Sequence, residues 1–155
     1  MGEFSQALAD LMILMSHTPD DYLGRLFHQL NLHNHYKGQF FTPIHICQLM
    51  GAISVDKSEF EKEVLEKGFY SVGEPACGSG AMIIGLYKNF VESKTKYVQQ
   101  GLYVDATDID DLCVKMAYIP FSLLGIKASV HLGDSLKNEV TETWDTPALQ
   151  KYFNE

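Results

Sequence analysis

Over the first thirty residues the apolar positions recur every three or four places, at Phe4, Ala7, Leu8, Leu11, Met12 and Met15. That period stacks side chains on one face of a helix and predicts one over residues 4–15. Pro19 breaks the pattern, and Asp20-Asp21 is placed to cap a second helix carrying Leu23, Leu26, Phe27 and Leu30. Residues 31–38, with Asn34 and Gly38, read as a loop. Thr42 suits the N-cap of a third helix and Pro43 its first position, where a missing N–H costs nothing. Ile44, Cys47, Met50 and Ile53 continue that helix, with Gly51 a weak point, and residues 57–67 form a surface run of alternating acids and lysines.

Beyond residue 68 the spacing changes. Residues 69–73 are short, aromatic and β-branched and run into Glu74-Pro75, a strand ending in a turn. Glycines at 78 and 80 precede a helix with Met82, Ile83, Leu86, Tyr87 and Phe90. Residues 102–107 form a second strand that closes on Asp108. Asp110 can cap the next helix, which carries Leu112, Val114, Met116 and Ala117, kinks at Pro120 and ends before a C′ glycine, Gly125. Residues 129–132 are a third strand, ending in Gly133-Asp134. Strand, glycine turn, helix, strand, acid, helix, strand, acid is the order of a doubly wound α/β fold with a parallel sheet. No repeat or linker divides the chain: it is one domain, with an N-terminal helical part (1–67) and an α/β part (68–155).

The three motifs fall at the carboxyl ends of successive strands, where such sheets bind ligands. The first is Glu74-Pro75-Ala76-Cys77-Gly78-Ser79-Gly80. Its glycines let backbone approach a ligand closely, and it matches neither a phosphate-cradling loop nor a dinucleotide fingerprint. Glu74 at its mouth favours an ammonium group. Asp108 is placed to accept both hydroxyls of a ribose, although it could instead cap the following helix, a role that Asp110 fits better. Ile109 can lie on an adenine face, and Asp134 can accept from an exocyclic amino group unless it only closes a turn. Ammonium, ribose and adenine acceptors in chain order describe S-adenosylmethionine.

Gly38-Gln39-Phe40-Phe41-Thr42-Pro43-Ile44-His45-Ile46, the turn at 74–80 and Thr107-Asp108-Ile109-Asp110 closely resemble segments of the N6-adenine DNA methyltransferases of the type I restriction-modification M-subunit group. The resemblance runs from about Asp21 to Ser135. It implies a Rossmann-like S-adenosylmethionine-dependent methyltransferase fold with an N-terminal helical extension. By the same resemblance Phe41, Thr42 and Pro43 cover the methionine end of the cofactor. Glu74, Ala76 and Gly78 meet its amino and carboxylate groups, Asp108 the ribose and Asp134 the adenine. The candidate cofactor-binding set is therefore Phe41, Thr42, Pro43, the whole turn from Glu74 through Pro75, Ala76, Cys77, Gly78, Ser79 and Gly80, then Asp108, Ile109, Asp134 and Ser135.

The family's catalytic Asn/Asp-Pro-Pro-Phe/Tyr element, which holds a flipped adenine by hydrogen bonds and stacking, has no counterpart here. The prolines stand at 19, 43, 75, 120 and 147, none followed by another. Asp145-Thr146-Pro147-Ala148 is the nearest approach, and the tail from Lys137 onward lacks an apolar strand to carry such a loop. The sheet thus reads as C-terminally incomplete, and no catalytic residue is assigned. Cys77 reads as a packing residue. His28, His33 and His35 lack zinc-like cysteine partners, so no metal is expected. Trp144, Tyr152 and Phe153 read as cover for the open sheet edge or as contacts to a protein partner.

Composition narrows the setting. Three cysteines without paired spacing argue for reduced thiols in a cytoplasmic protein, and no apolar run is long enough to span a membrane. Net charge is −8, Arg25 is the sole arginine, and the densest cationic stretch, 88–96, holds three lysines. Such a chain has little to neutralise phosphates, so a DNA target needs additional domains or a specificity subunit to hold it. Two functions remain: the cofactor-binding portion of an N6-adenine DNA methyltransferase, or a non-catalytic S-adenosylmethionine-binding accessory or decoy. A small-molecule methyltransferase would need a substrate lid that the sequence does not offer.

Overall fold

A computed structural model of the chain describes residues 2–30 and 42–154, with side chains as far as residue 152. Its sheet is built by alternation. In β2 (Leu102–Asp108) the side chains of Leu102, Val104 and Ala106 are fully buried, while Tyr103, Asp105 and Thr107 between them are not. β1 (Tyr70–Glu74) pairs with β2 in parallel, and β2 pairs in parallel with β3 (Lys127–Asp134). The strand order is β1-β2-β3-β4, so the ends of β1, β2 and β3 lie along one edge.

β4 (Glu139–Asp145) was not expected. It runs antiparallel to β3, with a bulge between Leu132 and Gly133. Its first five residues are exposed, and its large apolar side chains are Val140 and Trp144. An edge strand in a hairpin borrows its order from the neighbouring ladder and needs no apolar run, so it leaves no strong pattern in the sequence.

The helices follow the chain as α1 (Gly2–His17), α2 (Tyr22–Gln29), α3 (Ile44–Ser54), α4 (Lys57–Lys67), α5 (Ala81–Glu92), α6 (Val98–Gly101), α7 (Asp111–Leu123) and α8 (Pro147–Asn154). Asp21 caps α2 and Asp110 caps α7, as expected. α7 continues through Pro120, and Gly125 follows it with φ 68°. α3 begins one residue later than expected: Pro43 occupies its cap with no side-chain hydrogen bond, and the carbonyl of Thr42 accepts from Cys47 Sγ at 3.5 Å. The surface run at 57–67 proves to be α4, capped by Asp56, which sends Phe60 and Val64 into the core while its acids and lysines pair outside. Phe60 stacks on Phe90 of α5 with centroids 4.6 Å apart, and Phe121 of α7 is equally buried.

α3 and α5 meet almost backbone to backbone. A Cβ at Gly85 would lie 2.7 Å from the Cys47 carbonyl carbon, and one at Gly51 would lie 2.8 Å from Leu86 Cα. The other face of the sheet is polar. Tyr103 and Ser129 hydroxyls lie 3.2 Å apart, Ser129 donates to Asp145 at 2.7 Å, and His131 bridges Thr143 (2.8 Å) and Asp105 (3.4 Å). Doubly wound sheets bury apolar side chains on both faces; here the β2 and β3 side chains packed with α5 and α7 are apolar, and their alternates hydrogen-bond across strands. No described helix is long and apolar enough to cross a membrane.

Candidate cofactor site

The glycine turn is held by three of its own backbone donors, two of them bonded to the end of β2 and one within the turn. Cys77 N–H donates to the Thr107 carbonyl (2.9 Å), Gly78 N–H to Asp108 Oδ2 (2.8 Å) and Gly80 N–H to the Cys77 carbonyl (2.8 Å). Gly78 and Gly80 take φ of 54° and 84°, conformations that a Cβ would strain, with Ser79 fully buried between them. Gly80 also lies against the Phe121 ring and caps α5, whose first N–H groups have no intrahelical acceptor.

Around this turn stand the predicted acceptors. Asp108 takes Gly78 N–H on one oxygen and Asp110 N–H (2.9 Å) on the other. A carboxylate has about four acceptor positions, so each oxygen keeps one for a ligand. Glu74 accepts from Ala76 N–H at 3.3 Å. Pro75 and Ala76 are exposed, and Ile109 is 74% exposed, an open apolar side chain beside Asp108. Asp134 is engaged differently: it accepts from Leu136 and Lys137 N–H and pairs with Lys137 Nζ at 3.0 Å. The Lys137 side chain holds its carboxyl below the ordinary range. Asp134 thus closes the β3–β4 turn, the use its Gly-Asp context allowed, with Ser135 exposed beside it.

Thr42 and Pro43 are exposed and line, with Asp21 and Gly24, a cavity of about 400 Å³. Phe41 lies outside the described residues, as do His33 and His35. Cys77 is buried, and burial first, then the nearby Asp108 charge, pushes its thiol far above the ordinary range. A thiol so reluctant to ionise is a poor nucleophile, in keeping with a packing role.

A contact the sequence reading missed ties this turn to the helices. Ser79 Oγ donates to Asp21 Oδ2 at 2.7 Å across 58 residues of chain, and both side chains are buried. Asp21 carried only a capping signal, and nothing local distinguishes it from Asp20, which faces Arg25 at 3.3 Å.

The family model described as N-6 DNA methylase matches residues 20–151, a span that contains every candidate residue described above. The chain belongs to the N-6 DNA methylase family. The Type I restriction enzyme MjaVIII methylase subunit of Methanocaldococcus jannaschii is 32% identical over 111 residues, which are 70% of this chain. This chain spans 16% of that relative's length. No solved structure matches it.

For an N-6 DNA methylase chain, the placement of Asp145-Thr146-Pro147-Ala148 is informative. β4 is antiparallel, so Asp145 pairs with Ser129, five residues back along β3 from Asp134. In register that puts Asp145 level with Asp105 of β2 and Gly73 of β1, halfway along the sheet and three strands across from the one that leads into the glycine turn. Asp145 accepts from Ser129 Oγ, and Thr146 is locked to β3: its Oγ1 donates to the Ile126 carbonyl (2.7 Å) and accepts from Ala128 N–H (3.0 Å). Trp144 packs edge-on against Tyr118 of α7 at 5.4 Å and Tyr152 lies 4.2 Å from Lys127 Nζ, while the Phe153 side chain is outside the described ones. Among the described residues no cluster of three metal-ligating side chains occurs.

Proposed function

We propose that this chain carries the S-adenosylmethionine-binding portion of an N6-adenine DNA methyltransferase of the restriction-modification type, and that it does not methylate adenine by itself. The observation that carries the reading is the Asp108 carboxylate, which grips the glycine turn through Gly78 and keeps one acceptor position on each oxygen for a vicinal diol. Glu74 meets the ammonium end, Gly78 and Ala76 lie along the methionine carboxylate, Thr42 and Pro43 close that end, and Ile109 packs on the adenine. When bound, S-adenosylmethionine supplies an electrophilic methyl group. Positioning the target nitrogen in line with that group requires acceptors that Asp145, bonded to Ser129 and three strands across from β1, does not provide. The DNA is held elsewhere, by further domains or by a specificity subunit, because a net charge of −8 repels phosphate. The protein works in the cytoplasm, with Cys47, Cys77 and Cys113 as free thiols.

Titration calorimetry with S-adenosylhomocysteine tests this reading. One site is expected, and Asp108→Ala should lose about 1.5–3 kcal/mol, ten-fold or more in affinity. Asp110→Ala should leave affinity intact and lose only a helix cap of about 1 kcal/mol in stability. No heat at millimolar ligand would remove the cofactor reading.

A further inference from the structure

The Asp21–Ser79 hydrogen bond joins the cap of α2 to the glycine turn through two buried side chains, from separate parts of the chain, meeting at 2.7 Å. Asp21 is 4% exposed, and its second oxygen accepts from Gly24 N–H at 2.9 Å. A Cβ at Gly24 would collide with both the Asp21 carboxylate and Ser79 Oγ, so the glycine is what lets the three approach. Among the described residues Arg25 faces Asp20, and the donors that serve Asp21 are uncharged. Burying a carboxylate against uncharged donors is costly, and a cap alone could be made by a serine or asparagine. The cost is explained by the second bond.

Two residues of the turn are glycines at positive φ, which lose more conformational freedom on folding than other residues and so need contacts that fix them. From the β2 side it is held by the Thr107 carbonyl and by Asp108. Asp108 is the group proposed to meet the ribose, so its grip on Gly78 is shared with the ligand. Ser79 is gripped instead by Asp21, at the cap of α2, which is not among the acceptors assigned to the cofactor. We propose that Asp21 is a positioning residue for the cofactor site, fixing the glycine turn through Ser79 and making the N-terminal helices part of the binding apparatus. This rests on the cofactor reading above for its effect on affinity, and on the turn alone for its effect on order.

Two measurements keep those apart. Amide hydrogen exchange of the ligand-free chain reads residues 76–80 against β2, and calorimetry reads S-adenosylhomocysteine affinity, both well below the melting temperature. Asp21→Ala and Ser79→Ala should each speed exchange in 76–80 relative to β2 and weaken affinity about ten-fold, the strength of a hydrogen bond to a charged group. The double variant should be no worse than either single one, because both remove the same bond. Asp21→Asn, which can still accept from Gly24 and donate to Ser79 Oγ, should recover most of both. If Asp21→Ala fails to fold, Ser79→Ala reads the same bond from the other end. A lower melting temperature with unchanged relative exchange and unchanged affinity would reduce Asp21 to a helix cap and overturn the inference. If the natural chain binds no ligand, the cofactor reading fails and the exchange pattern decides the role of Asp21 on its own.

Discussion

At the scale of single residues, the site is a set of acceptors whose partners decide their use. Asp108 and Asp134 occupy equivalent strand ends, yet one clasps the glycine turn and the other its own hairpin. Asp21 has a consequence in pH. Burial, more than any other influence, lifts its carboxyl above the ordinary value of 3.8; Asp20 adds to the rise, while the bonds from Ser79 and Gly24 and the charge of Arg25 oppose it. The Cys47 thiol, itself raised to about 11 chiefly by burial, feels the Asp21 charge in turn. A carboxyl whose folded value exceeds its unfolded value favours the fold most below the unfolded value, and loses that contribution as pH climbs through the folded one. Asp21→Asn removes the ionisation. The variant should therefore melt higher than the natural chain at pH 7, with the gap closing as the pH falls towards 3.8. Calorimetric scans across that window check this; a gap independent of pH would contradict the assignment.

At the scale of elements, two junctions carry the architecture. The α3–α5 contact depends on absent side chains. Gly85→Ala should destabilise by about 1–3 kcal/mol through overpacking against Cys47, even though alanine favours helix by about 1 kcal/mol. Gly73→Ala, with nothing within 4 Å of the added carbon, is the control and should change little. Urea titration of both separates packing from propensity. The β4–α8 junction depends on Thr146, whose hydroxyl both donates to β3 and accepts from it. Thr146→Val keeps the shape, leaves a buried carbonyl and N–H unpaired, and should cost about 1–3 kcal/mol in the same assay. These junctions were only partly legible. Gly51 was visible as a weak point in a helix, but its reason is Leu86, a residue on another helix. β4 was invisible because an edge strand needs little apolar surface, and α4 read as a surface run because its two buried positions, Phe60 and Val64, sit among charges.

At the scale of the whole molecule, charge sets what the chain can do unaided. With 12 basic residues against 20 acidic ones, duplex DNA should bind more weakly than micromolar at physiological salt, and tritium from labelled cofactor should not reach unmethylated DNA. Filter binding and a transfer assay on the purified protein test both; sub-micromolar binding would show that charge does not limit DNA affinity, and robust N6-methyladenine formation would reveal a catalytic loop of another kind. What the sequence alone determined was local: helix periods, strand ends, and the order of the glycine turn, Asp108 and Asp134. Each of these is set by residues within a few positions of one another, so the pattern is written in the chain. Only the tertiary structure decided that Asp108 bonds the glycine turn while Asp134 bonds its own hairpin. It also decided that Asp145 bonds Ser129, three strands across from β1, and that Asp21 reaches Ser79. Those outcomes depend on strand direction and on contacts between residues far apart in the chain, and burial selects such pairings only once the layers have packed.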